Sequence, residues 1–120
     1  MPIFETWNVV KVPFPYADRP VRQRRPALVV AADMLETSHS LIWVLMITSA
    51  ENRGWPSDVP VSDIDTAGLP VPSVVRTAKV AVIDARDAEL LGSLVDSDRR
   101  AISAQVGGHL AEMLKAGRDS

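Results

Sequence analysis

Apolar residues along the chain fall into short blocks cut apart by proline and glycine, the spacing of β-strands rather than of long helices. Val9, Val10 and Val12 form a β-branched run that ends at Pro13-Phe14-Pro15. Two prolines so close exclude a helix and stop a central strand at Pro13, so the pattern predicts a first strand over 7–12 and a long loop over 15–25. Further strands are predicted over 26–31 and 41–48, the latter rich in β-branched and large apolar residues. A loop over 51–57 carries Gly54-Trp55-Pro56. Residues 58–61 make a short edge strand, because Pro60 limits pairing. Gly68-Leu69-Pro70-Val71-Pro72 reads as a stiff turn, followed by strands over 73–75, 79–83 and 91–94.

The period then changes. Ile102, Val106, His109, Leu110, Met113 and Leu114 repeat at helical spacing and predict one amphipathic helix with His109 packed on its apolar face. Asp96 or Ser97 would cap its start, Asp98 would favour its first turn, and Gly117 would sit just past its end. Gly107-Gly108 inside it costs about 1 kcal/mol per glycine relative to alanine, which either close backbone packing or a tolerated weak spot would explain. The expected fold is therefore mainly β with a C-terminal helix: a small twisted barrel, or an open sheet closed by the helix. At 120 residues and 13.0 kDa the expectation is a single domain over 1–120.

The net charge of −2 argues against coating nucleic acid or membrane by bulk charge. The sum hides a gradient: residues 1–30 carry net +3, residues 31–75 net −5, and the remainder is neutral. With no cysteine, disulfides and thiolate chemistry are excluded. His39 reads as a surface turn residue, and two distant histidines write no zinc spacing, so no metal or other cofactor is expected. Asp63 and Asp65 have no companions that suggest a cation cage. No signal pattern or bilayer-length apolar run is present, and the expected location is the cytoplasm.

The densest chemistry is Arg19-Pro20-Val21-Arg22-Gln23-Arg24-Arg25-Pro26. Charge runs usually only solvate a loop. Here four arginines flanked by Phe14 and Tyr16 also fit a phosphate clamp, because guanidinium forks grip phosphate oxygens and unpaired bases stack on aromatic rings. Phe14 shares a strand face with Val10 and Val12 and so also fits a core role; Tyr16 is the better stacking candidate. Pro26 holds Arg25 extended. Thr48 and Ser49, at a strand end, can bond phosphate or cap the loop backbone. Arg76 and Lys79 form a second basic group, which could equally pair with the acidic middle segment.

Val9-Val10-Lys11-Val12-Pro13-Phe14-Pro15-Tyr16-Ala17-Asp18, Arg24-Arg25-Pro26-Ala27-Leu28-Val29-Val30, Ile47-Thr48-Ser49 and Gly68-Leu69-Pro70-Val71-Pro72-Ser73-Val74-Val75-Arg76 together resemble the MazF/PemK toxins, in order and over essentially the whole chain. The resemblance implies an SH3-like β-barrel with a C-terminal helix, of the MazF/PemK/CcdB kind. It implies a homodimeric toxin of a type II toxin–antitoxin system: a sequence-specific, metal-independent endoribonuclease cutting single-stranded mRNA. The ribose 2′-hydroxyl attacks the neighbouring phosphate, leaving 2′,3′-cyclic phosphate and 5′-hydroxyl ends, and an antitoxin with an acidic tail covers the RNA groove. By position Arg25 matches the family's catalytic arginine, Thr48 its catalytic threonine, and Arg76 the arginine a PemK subgroup uses as an acid. Phe14, Tyr16, Arg19, Arg22, Gln23, Arg24, Ser49 and Lys79 are the expected RNA-binding set.

Three family features differ. The subgroup's basic Asp is Ala78, the usual Gly-Asp opening of the first strand is Trp7-Asn8, and the arginine loop lacks the histidine or glutamate of some members. Arginine, with a pKa above about 12, stabilises phosphate charge well and accepts protons poorly. Arg25 is therefore assigned to transition-state charge, with leaving-group protonation as a second role, and Thr48 to phosphate orientation. The base stays open between Glu5, Asp18 and a substrate-assisted route. Two alternatives stand beside this: a CcdB-like toxin that traps gyrase without catalysis, and a degenerate member that binds antitoxin without cutting RNA. The helix ends without the aromatic residue that the first would need. The charge gradient implies weak, salt-sensitive binding to long RNA, with specificity confined to one groove.

Overall fold

A computed structural model describes residues 4–14, 23–32, 41–52 and 54–118. Among them six strands form one antiparallel sheet: β1 (Asn8–Phe14), β2 (Gln23–Ala32), β3 (Leu41–Ser49), β4 (Asp58–Pro60), β5 (Ser73–Asp84) and β6 (Glu89–Ser93), in the order β4-β5-β3-β2-β1-β6. A one-turn helix α1 (Ile64–Ala67) precedes β5, and α2 (Asp96–Arg118) follows β6. The sheet is open: β4 and β6 are its edges, where a closed barrel would join them.

Both sheet faces carry core. Val10, Val12, Ala27, Val29, Val44 and Met46 pack on one face, with Phe4 and Ile83. Val9, Leu28, Leu45, Ile47 and Val75 pack on the other, under Leu69, Leu94 and Ile102. Strands covered on both faces read as unbroken apolar runs instead of alternating ones. In β2 that run is Ala27-Leu28-Val29-Val30, whose first three residues are fully buried.

Several boundaries differ from the sequence reading. β1 runs through Pro13 and Phe14, because β6 pairs only with Asn8–Lys11 and leaves β1 one free edge where proline is tolerated. The predicted strands over 73–75 and 79–83 are one strand, β5. Leu45 pairs with Val80 but the next residue, Met46, pairs with Arg76, so Thr77, Ala78 and Lys79 are extra residues in the ladder. That irregularity is what the polar interruption registers. Thr77 is buried there and its hydroxyl donates to the Ser57 carbonyl at 2.9 Å.

The single turn α1 is too short to leave a period in the sequence. Asp63 caps it, accepting from the Thr66 amide at 3.0 Å and the Thr66 hydroxyl at 2.7 Å. These bonds, the amide's foremost, hold the Asp63 carboxyl below its usual range. Gly68 ends the turn at φ +73°, with the Leu91 backbone where a side chain would stand.

Helix α2 starts at Asp96, with the Val95 carbonyl taking bonds from the Asp98 and Arg99 amides. Asp98 is buried and also accepts from the Ser62 amide at 2.9 Å and hydroxyl at 3.1 Å, tying the segment before α1 to the helix. Asp98→Ala is expected to cost about 1–3 kcal/mol, since both bonds from Ser62 to a buried carboxylate are lost; urea unfolding measures it. Ile102 is buried and Val106 half-buried, but His109 and Leu110 are exposed. The expectation of a packed His109 is thus corrected: the apolar face of the helix is buried or half-buried only as far as Val106. A side chain at Gly107 or Gly108 would meet nothing, so close packing within the chain does not account for them. Among the described residues no helix is long and apolar enough to cross a membrane.

Candidate active site

The β2–β3 ladder stops at Ala27–Met46, next to Pro26, which has no N–H to continue it. Beyond that point β2 pairs only with β1, and β3 only with β5. The strands part, and a cleft of about 490 Å³ opens there. Continuing the antiparallel register by two residues sets Arg25 across the gap from Thr48. Both line the cleft, with Ser49, Ser73, Lys11 and a wall of Leu69, Pro70 and Val71. The turn at Gly68 aims that wall. Every charged residue among the described lining is cationic, in a chain of net charge −2.

Thr48 is held from one side: the Asn52 side-chain amide donates to its hydroxyl at 3.1 Å. The Ser49 hydroxyl accepts from the Glu51 amide at 3.3 Å, the backbone-capping role open to a serine at a strand end.

Arg76 does not line the cleft but stands behind it. Its Nε and Nη2 donate to the two Asp58 oxygens at 3.2 and 3.0 Å, and Nη2 also donates to the Asn52 carbonyl at 2.8 Å. The pair is largely enclosed, the side chains being 12% and 5% exposed. The Arg76 guanidinium lies over the Trp55 ring, 4.3 Å from its centroid. Asn52 thus links Arg76 to Thr48.

The other expected site residues disperse. Arg24 and Arg25 are consecutive on a strand and point to opposite faces. Arg24 reaches the Lys11 carbonyl at 3.3 Å and the Glu89 carboxylate at 3.7 Å, on the β6 side. Lys79 is exposed in the β5 irregularity. Phe14 and Gln23 pair across β1–β2. Tyr16, Arg19 and Arg22 lie outside the described residues, as does Asp18. Glu5 is exposed and does not line the cleft. Sequence reasoning gives the loop over 51–57 a part in shaping the groove, but no individual role to Lys11, Asn52, Trp55 or Asp58. Lys11 has a signal, a lone cation inside an apolar strand; the other three meet only through the β4–β5 pairing of Asp58 with Arg76.

Trp7 stands where the resemblance puts a glycine, and its φ of +78° is the conformation that glycine favours. The turn is kept by its backbone: the Trp7 amide donates to the Val29 carbonyl at 2.8 Å and its carbonyl accepts from the Leu94 amide at 3.1 Å.

Fold and cleft together define a small, mainly β protein with a groove between two parted strands whose charged lining, among the described residues, is Lys11 and Arg25. The family model described as PemK-like, MazF-like toxin of type II toxin-antitoxin system matches residues 5–110, and the chain belongs to that family. Among solved structures it is similar to the Mycobacterium tuberculosis toxin MazF-mt6, at 24% identity over 87% of this chain and 96% of that one, TM-score 0.66. It is also similar to a chain of the MazE-MazF complex from Deinococcus radiodurans, at 20% identity over 91% and 97%, TM-score 0.68. A third is an endoribonuclease in complex with its cognate antitoxin from a mycobacterial species, at 15% identity over 92% and 96%, TM-score 0.68. No match was found among curated proteins.

Proposed function

We propose that this toxin is a sequence-specific, metal-independent endoribonuclease of single-stranded mRNA in the cytoplasm. The observation that carries the reading is the cleft: Arg25 opposite Thr48, Lys11 beside them, and no acidic residue among the described lining. In the reaction the ribose 2′-oxygen bonds to the adjacent phosphorus as the bond to the 5′-oxygen breaks. The 2′-hydroxyl loses a proton and the 5′-oxygen gains one. The products are a 2′,3′-cyclic phosphate and a 5′-hydroxyl. Arg25 stabilises the charge that builds on the phosphoryl oxygens, and Thr48, oriented by Asn52, positions one of them. Lys11 adds a point charge that draws the backbone in.

The same cleft suits the acidic tail of a cognate antitoxin, which would compete with RNA for its cations. The working form is a homodimer. Trp43 and Val82, direct cross-strand partners, are 46% and 53% exposed, an apolar surface that a second copy would cover.

The test is incubation of the purified protein with a long single-stranded RNA in EDTA, followed by sequencing of the new ends. Cuts at a recurring sequence, with 5′-hydroxyl and cyclic phosphate ends, are expected. Intact RNA at stoichiometric enzyme overturns the reading.

A further inference from the structure

We infer that Trp55 is a stacking platform for one RNA base next to the scissile phosphate, backed by Arg76; the inference rests on the ribonuclease reading above. Trp55 is 45% exposed although a guanidinium lies over its ring at 4.3 Å. A large aromatic left open to water, stacked on the arginine behind the cleft, needs a reason beyond core packing, since neither apolar core includes it.

The backing is rigid. Asp58 grips Arg76 through both carboxylate oxygens, and the Asn52 carbonyl takes a third bond. These bonds fix the cation over the ring from within the protein, and the ring is held at a set height. A base on the free face would complete a guanidinium–indole–base stack, needing no ordering of the protein on binding. The platform is also tied to the chemistry. Asn52, whose carbonyl meets Arg76, directs its amide to the Thr48 hydroxyl at 3.1 Å. A base seated on Trp55 would thus rest on the same group that holds the Thr48 hydroxyl.

The chemistry selects a planar, unpaired base. A base within a duplex offers no free face, so the platform favours single strands. It prefers purine to pyrimidine at one position by stacking area, without reading hydrogen bonds.

The experiment compares wild type, Trp55→Phe and Trp55→Leu on the RNA whose cuts have been mapped. Trp55→Leu is expected to lower kcat/KM by roughly 5- to 100-fold, the size of one lost base stack. The preference at a single position near the cut should flatten, while the unfolding midpoint stays put. Trp55→Phe should restore most of the rate and the preference. A second arm reads binding without cleavage. Tryptophan fluorescence is titrated with a single-stranded oligonucleotide carrying 2′-deoxyribose at the cut, first with wild type and then with Trp55→Phe. Quenching in wild type that is lost in Trp55→Phe is expected. If wild type cuts RNA and Trp55→Leu matches its rate and cut profile, the platform is wrong and the ribonuclease reading stands. Loss of antitoxin binding alone in Trp55→Leu also overturns it, in favour of a protein contact. If wild type does not cut RNA, the ribonuclease reading fails, and absence of Trp55-dependent quenching then removes the platform as well.

Discussion

Arg25→Ala should cut RNA about 10²- to 10³-fold more slowly than wild type, the loss seen when one group that stabilises developing charge is removed. The expectation follows from where the strands part. Pro26 ends the β2–β3 ladder, so Arg25 sits on a strand that is paired on one side and faces the cleft on the other. A side chain mounted on a paired strand is held by its backbone and needs little ordering when substrate arrives. A guanidinium can meet two phosphate oxygens at once, which an ammonium cannot, so Arg25→Lys should recover only part of the loss. The deficit belongs in kcat more than in KM, because charge on the phosphoryl oxygens is greatest in the transition state. Single-turnover cleavage of a short substrate separates the two. A wild-type rate for Arg25→Ala would remove Arg25 from the chemistry and leave Lys11 as the cation of the cleft.

The fold is largely legible in the chain because each strand is short, β-branched and punctuated. Leu41, the start of β3, and the edge position of 58–60 both follow from the pattern. What escapes is set by pairing across the sheet. Pro13 reads as a terminator because the sequence does not show that β6 stops at Lys11. β5 reads as two strands because three extra residues break its alternation. His109 reads as packed because helical spacing marks a face without saying how far along the helix that face is covered. The site divides in the same way. Arg25 and Thr48 are legible, each beside a local marker, a proline or a strand end. The Arg76–Asp58–Trp55–Asn52 group is not, since it joins two loop residues and an edge-strand carboxylate to a residue on β5. By position Arg76 reads as an acid; its donors are directed at Asp58 and Asn52, and we propose a positioning role for it.

That role has a consequence for stability large enough to measure directly. Asp58→Ala should lower unfolding stability by about 3–5 kcal/mol, because it leaves the enclosed Arg76 charge without its carboxylate. The two side chains are only 5% and 12% exposed, so water screens the pair little. The loss should reverse in an apolar double variant: Asp58→Leu with Arg76→Met removes both charges, and such replacements are often neutral or better. Urea unfolding of the wild type, Asp58→Ala and the double variant gives both numbers. An Asp58→Ala midpoint equal to wild type would mean that the pair is solvated and holds nothing in place. Cleavage by the double variant then separates support from catalysis. It keeps Arg25 and Thr48 but has no cation over Trp55 and no donor to the Asn52 carbonyl. Slower cutting with a flattened base preference would fit a positioning Arg76. Complete loss of cutting, in a protein as stable as wild type, would instead place Arg76 among the groups that touch the reacting phosphate.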